Sequence, residues 1–363
     1  MKKLKRRPVR FKGLTVGLDI HKRFTAYSIF DRRGDEVAYG KVESTREGLS
    51  ELLGKVGRRK AQYVLEASGS SLWVFDLLSD HAGRDQVHVA QPHRIRPIAN
   101  SLEKNDANDA WWLAYLQFEG RLPEAFVPEG ELRELRIMTR ELRSATDLRA
   151  DLVRRFRSHL ALEGVKMSGS CFHTKTVRRQ AAEVAHSLSG ARGDALHRLL
   201  RRIEHLDEEV AYWDSKVAEL CRGLPVVQTI RKEIPGIGPA LSAILYAELG
   251  DPSRYRSAKA FACATGLVPS FRESGGRKMP AKMSRAGSRY SRWALTRAVI
   301  GCMRCRRGPG VTVTRWVNKR LRHRPKKHVL VAAARKLAEG IWRLFHLGEE
   351  FDLRKAFPIG KTA

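Results

Sequence analysis

The sequence predicts an α/β domain at the N-terminus followed by a mainly α-helical remainder. Two observations indicate this division. Short apolar segments rich in β-branched residues follow one another in the first third of the chain, as strands of a sheet do. Farther along, apolar residues recur at alternating threes and fours, from about 131 to 165 and from 196 to 220, as in long amphipathic helices. Hydrophobic residues make up 42% of the chain, which suffices for packed cores in both parts.

Strand-like and helix-like segments alternate near the N-terminus in the order β-β-β-α-β-α-β-α. Three strands come first and are joined by short turns: LTVGLDI at 14–20, FTAYSIFD and EVAYGKVES. Ser44 and Glu47 form a capping box that predicts a helix through EGLSELLGKVG. A strand YVLEAS at 63–68, a helix SLWVFDLLSDH, a strand QVHVAQP and a helix opened by KNDANDAWWLAYLQ follow. This order, with acids on the first strand, the fourth strand and the last helix, is the plan of the ribonuclease-H-like fold.

Four acidic side chains lie at positions where this fold could bring them together. Asp19 lies next to the last residue of the first strand, Glu66 lies near the end of the fourth, and Asp106 and Asp109 share one helix face. Because the first and fourth strands would be parallel neighbours, Asp19 and Glu66 can face one another. Converging carboxylates repel one another unless cations neutralise them, and hard divalent ions do so. We therefore expect a site for two Mg²⁺ ions that stabilise the attacking and leaving oxygens of a phosphodiester displacement.

Each of these acids has an ordinary explanation when it is taken singly. Asn105 or Asp106 could cap the helix, where the helix dipole favours acids. Asp19 and Glu66 could be strand-end charges that face solvent. Their joint placement on one fold plan favours the metal site.

The chain carries a large excess of positive charge. Lys and Arg number 69 against 39 Asp and Glu, which gives a formal net charge of +30 and a pI near 10.5. This excess predicts nucleic acid as a partner, because Lys and Arg gain affinity by releasing counterions from phosphate backbones. Basic residues concentrate in an N-terminal arm and in RHRPKKH at 322–328.

Composition also indicates the compartment. No run of about 18 apolar residues occurs and no apolar region follows the basic N-terminus, so we expect a cytoplasmic, nucleoid-associated protein without a membrane partner. Five cysteines suit a reducing compartment better than a disulfide framework. Cys302 and Cys305 lack a second pair at zinc-site spacing, so we do not expect zinc there.

Two long amphipathic helices are predicted in the middle of the chain. Their apolar stripes are Leu135, Met138, Leu142, Ala145, Leu152 and Phe156 in the first, and Leu196, Leu199, Ile203, Leu206, Val210, Trp213, Val217 and Leu220 in the second. The link SGSCFHTKTVRRQ, with a further break at SGARG, would let them form a coiled-coil hairpin or pair with another copy. An ordinary helical core is the alternative.

The third region combines a glycine turn with a cation-rich loop. The segment at 230–251 resembles a helix-hairpin-helix, in which N–H groups exposed by Gly236 and Gly238 meet a phosphate near a helix N-terminus. Beyond it, Ser274 precedes a Gly-Gly pair, and its hydroxyl could attack a phosphodiester. Nearby cations could stabilise the developing charge: Arg272, Arg277, Lys278, Lys282 and Arg285. Ser-Gly-Gly is also common in ordinary loops.

Five motifs in order, GLDIHK, LEASGS, KNDANDA, PGIGPALSA and GLVPSFRESGG, resemble those of the DEDD transposases of bacterial insertion sequences. This group has a RuvC-like N-terminal domain and is related to the Piv DNA invertases. The resemblance runs from about residue 13 to about residue 345. It implies that Asp19, Glu66, Asp106 and Asp109 are the metal-binding tetrad and that Ser274 belongs to the C-terminal transposase domain.

The resemblance further implies a recombinase guided by a structured bridge RNA that pairs with donor and target DNA. The serine would attack DNA and form a phosphoserine link, while carboxylate-bound metals activate the reaction. The active site would join the RuvC-like domain of one protomer to the serine-bearing domain of another within a tetramer. The helical middle would mediate assembly, as a dimer or tetramer, and the positive charge would hold the RNA and two DNA duplexes.

Two positions depart from the family pattern. The family has Lys-Thr-Asp before its third acid where this chain has Lys104-Asn105-Asp106, and its later Asn is Ser288 here. Arg292 stands where the family has an arginine that we expect to contact nucleic acid. Neither departure removes a predicted metal ligand or nucleophile.

The expected organisation has five parts. These are a basic arm at 1–12, a RuvC-like catalytic domain at 13–128, a helical coiled-coil region at 129–222, a C-terminal transposase domain at 223–345 and a tail at 346–363. Three functions fit this organisation. A site-specific DNA recombinase is the first, a structure-selective nuclease of the Holliday-junction resolvase type without a serine step is the second, and a non-catalytic nucleic-acid-binding protein is the third.

Overall fold

The computed structural model of the chain describes residues 11–95, 106–165, 172, 174–270, 273–274, 277–278, 282–283, 287–305, 307–308, 310–348 and 351–358. Only the backbone is described at residues 93, 106–107, 269–270, 273–274, 277–278 and 282–283. The chain divides into two compact units, one ending at Val127 and the other beginning at Pro128. Within the described residues, no helix combines the length and the apolar character that crossing a bilayer requires.

The first unit is built on a mixed five-stranded sheet in the order β3-β2-β1-β4-β5. Its strands are β1 (Leu14–Ile20), β2 (Phe24–Phe30), β3 (Glu36–Glu43), β4 (Ala61–Glu66) and β5 (Val87–Ala90). Strands β1, β2 and β3 pair antiparallel, whereas β4 runs parallel to both β1 and β5. The predicted parallel pairing of the first and fourth strands is confirmed.

Helices pack on both faces of this sheet. They are α1 (Arg46–Val56), α2 (Ser71–Ala82), α3 (Pro92–Ile95) and α4 (Asp106–Phe118), with a short 3₁₀ helix at Arg84–Gln86. Val16 and Leu18 of β1 belong to a core shared with α1 and α2. Val64 of β4 lies in a second core together with Leu113 of α4. The alternation of side chains along each strand therefore directs one set to α1 and α2 and the other to α4.

The segments follow the predicted order, but the predicted cap of the first helix is wrong. Thr45, and not Ser44, caps α1, because its Oγ1 accepts a hydrogen bond from the N–H of Gly48 at 3.1 Å. The Ser44 N–H donates to the Arg23 carbonyl at 3.1 Å, and its hydroxyl lies 2.8 Å from that of Thr25. Ser44 thus continues the pairing of β3 with β2, and the helix begins one residue later.

The second unit is mainly helical. Its helices are α5 (Gly130–Leu162), α6 (Lys175–Ser187), α7 (Gly190–Cys221), α8 (Pro225–Glu233), α9 (Pro239–Leu249), α10 (Ala258–Ala264), α11 (Arg289–Arg304), α12 (Gly310–Leu321), α13 (Lys326–Leu347) and α14 (Leu353–Ala356), with a 3₁₀ helix at Pro252–Arg254. The long helices α5 and α7 confirm the two predicted stripes. Phe156 and Ile203 share one core between them, and Leu142 and Val217 share another.

Helix α6 lies in the link between the long helices and was not predicted as a helix. Its buried face consists of Val177, Ala181 and Ala185, which are spaced four residues apart. These small side chains join the core that contains Phe156 and Phe172. A stripe this narrow gives little hydrophobic signal in the sequence.

The predicted glycine turn joins α8 to α9 and packs against α11. A Cβ on Gly236 would lie 2.4 Å from the carbonyl carbon of Gly301, and one on Gly301 would lie 2.2 Å from the carbonyl oxygen of Gly236. Gly236 also has a φ of +79°, which favours glycine. Beside this contact, the buried Cys302 thiol donates to the Pro235 carbonyl at 2.7 Å.

Four short strands lie between α10 and α11 in the chain. They are β6 (Pro269–Ser270), β7 (Glu273–Ser274), β8 (Arg277–Lys278) and β9 (Lys282–Met283). β6 pairs antiparallel with β9, and β7 pairs antiparallel with β8. The segment predicted as a cation-rich loop therefore contains hairpin-like pairing.

Candidate active site

The carboxyl ends of β1 and β4 bring Asp19 and Glu66 to neighbouring positions. In the parallel pairing of these strands, Leu18 lies opposite Leu65. Asp19 and Glu66 are the next residues on their strands, so they fall side by side on the same face of the sheet. Both are half-buried.

A chain of hydrogen bonds shows that this face of the sheet is covered by α4. Gln62 Nε2 donates to Thr15 Oγ1 at 2.8 Å, and Gln117 Nε2 donates to Gln62 Oε1 at 3.0 Å. Thr15 and Gln62 are paired across β1 and β4, each four residues before Asp19 or Glu66. Residues an even number apart on a strand share a face, so Asp19 and Glu66 also face α4.

Gly17 lies where α4 crosses closest to β1. A Cβ on Gly17 would be 2.1 Å from the Ala110 carbonyl oxygen and 2.6 Å from the Ala114 nitrogen. The Gln117 end of α4 lies over the start of the strand, so the helix and the strand run in opposite directions. Two strand residues advance about 6.6 Å, and four helical residues advance about 6 Å. Asp19 lies two residues beyond Gly17 on the strand. The same distance along α4, measured from the residues that contact Gly17, reaches the first turn of the helix.

That first turn carries the other two predicted ligands, Asp106 and Asp109. Asp109 is exposed, whereas the side chain of Asp106 is outside the described residues. Among the side chains that are described, no three Asp, Glu, His or Cys lie close enough together to hold a metal ion. The structure thus places Asp19 beside Glu66 on the face of the sheet that α4 covers, whereas the described side chain of Asp109 does not join them in such a group. Carboxylate oxygens of this kind fit a hard divalent cation.

Gly17→Ala is expected to lower the free energy of unfolding by about 1–3 kcal/mol, because the added methyl group meets backbone atoms that cannot rotate away. Urea unfolding followed by circular dichroism measures the change. Gly54→Ala in α1 is the matched control, since nothing lies within 4 Å of its added Cβ. Ala should stabilise that helix by about 0.5–1 kcal/mol. Equal effects of the two changes would contradict the close crossing of α4 over β1.

His21 belongs to this site and was not predicted from the sequence. Its Nε2 lies 2.8 Å from Asp19 Oδ2, and its ring packs against Phe24 with centroids 4.9 Å apart. These two contacts fix the ring, so that it orients the carboxylate. The signal was present in the sequence, because His21 follows Asp19 by two residues at the end of a strand and can reach the same side of it.

Ser274 lies on the short hairpin formed by β7 and β8. It is paired with Arg277, and Glu273 is paired with Lys278, so the predicted nucleophile and two predicted cations are neighbours along this hairpin. Lys282 is paired with Ser270 in the separate pairing of β9 with β6. The predicted residues Arg272 and Arg285 lie outside the described residues.

A buried carboxylate fixes the helix that follows this hairpin. Glu248 is 4% exposed, and its Oε1 accepts a hydrogen bond from Arg140 Nε at 2.8 Å. Its Oε2 accepts one from Ser288 Oγ at 2.8 Å. Ser288 also caps α11, accepting from the N–H groups of Tyr290 and Ser291. The serine that replaces the family's asparagine thus ties the start of α11 to α5 and α9.

The other predicted nucleic-acid contacts differ in their surroundings. Arg292 is half-buried in the first turn of α11, with a guanidinium nitrogen 3.4 Å from the Gly266 carbonyl. Gly238 precedes α9 and has open space where a Cβ would stand, so its predicted contact with a phosphate is sterically possible. Gly236 is packed against α11, where a side chain would not fit. This packing accounts for a glycine at the position, and no bound phosphate is needed to explain it.

Two family models match the chain. The DEDD transposase model of the IS110 group, described as "Transposase", matches residues 16–163 and includes Asp19, Glu66, Asp106 and Asp109. A second model, described as "Transposase IS116/IS110/IS902 family", matches residues 229–311 and includes Ser274. The two matches follow the order of the motifs in the sequence.

Similar proteins include transposases from several bacteria. A Pseudomonas aeruginosa protein named "Probable family 20 transposase" is 26% identical over 71% of this chain and 76% of its own length. The transposase for insertion sequence element IS1328 of Yersinia enterocolitica is 27% identical over 74% and 79%. The transposase for IS1111A of Coxiella burnetii is 24% identical over 72% of each. With both family models and these relatives in agreement, the chain belongs to the DEDD transposases of insertion sequences and is a DNA transposase/recombinase.

Proposed function

We propose that this transposase cuts and exchanges DNA strands with a carboxylate-bound pair of Mg²⁺ ions and a serine nucleophile, guided by a structured bridge RNA. DNA is the substrate of the family, which generally depends on divalent metal ions. The observation that carries the proposal is the placement of Asp19 beside Glu66, both facing the first turn of α4. That arrangement can gather four carboxylates at one edge of the sheet.

The four acids Asp19, Glu66, Asp106 and Asp109 would hold the metal ions through their carboxylate oxygens. Bound there, the ions would stabilise charge on the attacking and leaving oxygens of the phosphodiester. His21 would keep Asp19 oriented through its contact with Oδ2. The buried strand residues behind these acids hold the carboxylates on a rigid element, which a catalytic site needs for precise placement.

Ser274 would attack the phosphorus through its hydroxyl oxygen. The new serine–phosphorus bond forms as the bond to the leaving strand oxygen breaks, the hydroxyl gives up its proton, and the leaving oxygen gains one. Arg277 and Lys278, on the partner strand of the hairpin, would stabilise the negative charge that develops on the phosphate. The phosphoserine link retains the energy of the phosphodiester, so a second strand can be joined without an external energy source.

The other parts of the chain take their roles from this scheme. Residues 13–128 would form the RuvC-like, ribonuclease-H-like domain, 129–222 the coiled-coil region and 223–345 the serine-bearing domain. The packed pair α5 and α7 would support assembly into a dimer or tetramer, in which two protomers complete one active site. The net charge of +30 would hold the guide RNA together with donor and target DNA.

Trapping of a covalent intermediate tests the serine step. The full chain is incubated with Mg²⁺, element DNA labelled throughout both strands and RNA transcribed from the flank of the element, and is then denatured in detergent. We expect label that migrates with the protein, and a DNA-derived phosphate on Ser274 when the digested protein is analysed by mass spectrometry. Cleaved DNA without any protein-linked label would contradict the serine step and favour the nuclease alternative, which uses water.

Omission of the RNA tests the guidance. We expect cleavage at the element ends to disappear without the transcript and to return when it is added. An RNA with an altered pairing loop should redirect cleavage to DNA of matching sequence. Sequence-specific cleavage that is unchanged without RNA would contradict guidance by RNA. It would not contradict the proposed metal site or the serine nucleophile.

A further inference from the structure

A strongly cationic groove lies between α12 and α13, beyond the residues that the C-terminal family model matches. Two adjoining hollows form it, and both are lined by Arg320 and Arg324. From residue 315 to residue 343 the chain has ten Lys or Arg and one acid, Glu339. Glu339 is paired with Arg335 at 2.8 Å, so most of this charge has no carboxylate to offset it within the segment.

The cations of the groove are held close together and partly out of water. Burial lowers the pKa of Lys336, and the neighbouring Arg320 and Arg343 lower it further, although Glu339 opposes the shift. The pKa of Arg320 is lowered by burial and by Arg324. Burial is the larger cause of both shifts and the neighbouring cations add to it, and an anion bound between the cations would relieve both effects.

The first turn of α13 adds to the positive field. It begins with Lys326, Lys327 and His328, contains no acid, and has no side-chain cap. Helix N-termini carry partial positive charge and favour anions, so cations at this end are unfavourable unless an anion is bound there. His328 lines the groove, which places this helix start at its edge.

Trp316 forms part of the wall of the groove. Trp316 is 2% exposed, and within the described part of the chain its Nε1 has no hydrogen-bond partner. The Arg320 guanidinium stacks 3.7 Å from the centroid of its indole ring, so the cation is held in place over the groove. This stacking orders one of the cations that line the groove.

We propose that this groove binds the phosphate backbone of double-stranded DNA, with Arg320, Arg324 and Lys336 contacting phosphates. DNA is favoured as the ligand because it is the substrate of the family. The inference rests on that substrate and does not require a serine nucleophile or a guide RNA. It assigns a DNA-holding role to residues of α12 and α13 that lie beyond the matched transposase segment.

Salt-dependent binding of a fluorescent DNA duplex, measured without divalent metal, tests this role. Each phosphate contact contributes about 0.9 to the slope of log K against log salt concentration. The triple variant R320Q/R324Q/K336Q of the full chain should therefore reduce the slope by about 2 to 3 and weaken binding by about tenfold or more at fixed salt. The single variant Arg324→Gln, at an exposed position, should reduce the slope by about 1 with no change in the unfolding temperature.

The matched control removes the same charge from another helix. R198Q/R201Q/R202Q changes three exposed arginines of α7. We expect a slope that stays close to that of the unchanged protein. Equal losses in the two triple variants would mean that only total charge matters and would overturn the proposal. So would a loss seen with duplex RNA and absent with duplex DNA. Because no cleavage is measured, failure here is distinguishable from failure of the serine step.

Discussion

Asp19→Asn is expected to slow DNA strand cleavage by about 10³-fold or more, because metal-ion stabilisation of the reacting oxygens contributes several kcal/mol. Asparagine keeps the shape of the side chain and can still accept a hydrogen bond from His21, but it lacks the charge that holds a divalent ion. DNA affinity measured without metal should remain unchanged. Single-turnover cleavage of labelled element DNA over a range of Mg²⁺ concentrations gives the rate.

Asp80→Asn is the matched control for this change. Asp80 is an exposed acid on α2 of the same unit, so its substitution alters net charge equally and leaves the sheet edge intact. Its cleavage rate should stay within about twofold of the original, as is usual for surface substitutions. Normal cleavage by Asp19→Asn at saturating Mg²⁺ would show that Asp19 has a structural role. The four predicted acids would then not act as a catalytic metal site.

Ser274→Ala is expected to abolish both the protein-linked DNA and strand exchange, with cleavage reduced by about 10³-fold or more. Removal of one oxygen atom leaves the backbone pairing of β7 with β8 unchanged, so DNA affinity and the unfolding temperature should not change. Denaturing gels of labelled DNA report cleavage and the covalent link in the same lane.

Ser215→Ala serves as the control, because this exposed serine of α7 donates a hydrogen bond to the Tyr212 carbonyl of its own helix and, among the described residues, to no other group. It should retain full activity. Cleavage that persists in Ser274→Ala but vanishes in Asp19→Asn would mean that water attacks the phosphodiester. That result would favour a structure-selective nuclease as the function. The pair of variants therefore separates the nucleophile from the metal site.

The sheet was predictable because its strands are short, apolar and separated by clear turns. Leu14–Ile20 is the predicted first strand, and its parallel pairing with β4 follows from the order of the segments. The cap of α1 was placed one residue early, since Ser44 and Thr45 are both good capping residues and only the pairing with β2 decides between them. His21 was within reach of the same reasoning that selected Asp19.

Long-range contacts in the second unit were beyond prediction from one sequence. Arg140 and Glu248 are separated by 108 positions, and nothing in either segment indicates their pairing. Gly236 attracted a ligand-binding interpretation because glycine turns often bind phosphate, whereas its contact with Gly301 depends on how α11 packs. Such contacts depend on tertiary packing, which local periodicity does not encode.

The Cys302 thiol, which lies against the α8–α9 turn, can report on the packing of this turn in the second unit. Burial raises the pKa of Cys302 to about 12, so at neutral pH the sulfur remains protonated and is a poor nucleophile. Alkylating reagents would modify it only when the turn separates from α11 and the sulfur reaches water. The rate of that modification in concentrated reagent therefore measures how often the turn separates from α11. Bound DNA that stabilises the packing of these helices would lower the rate of modification.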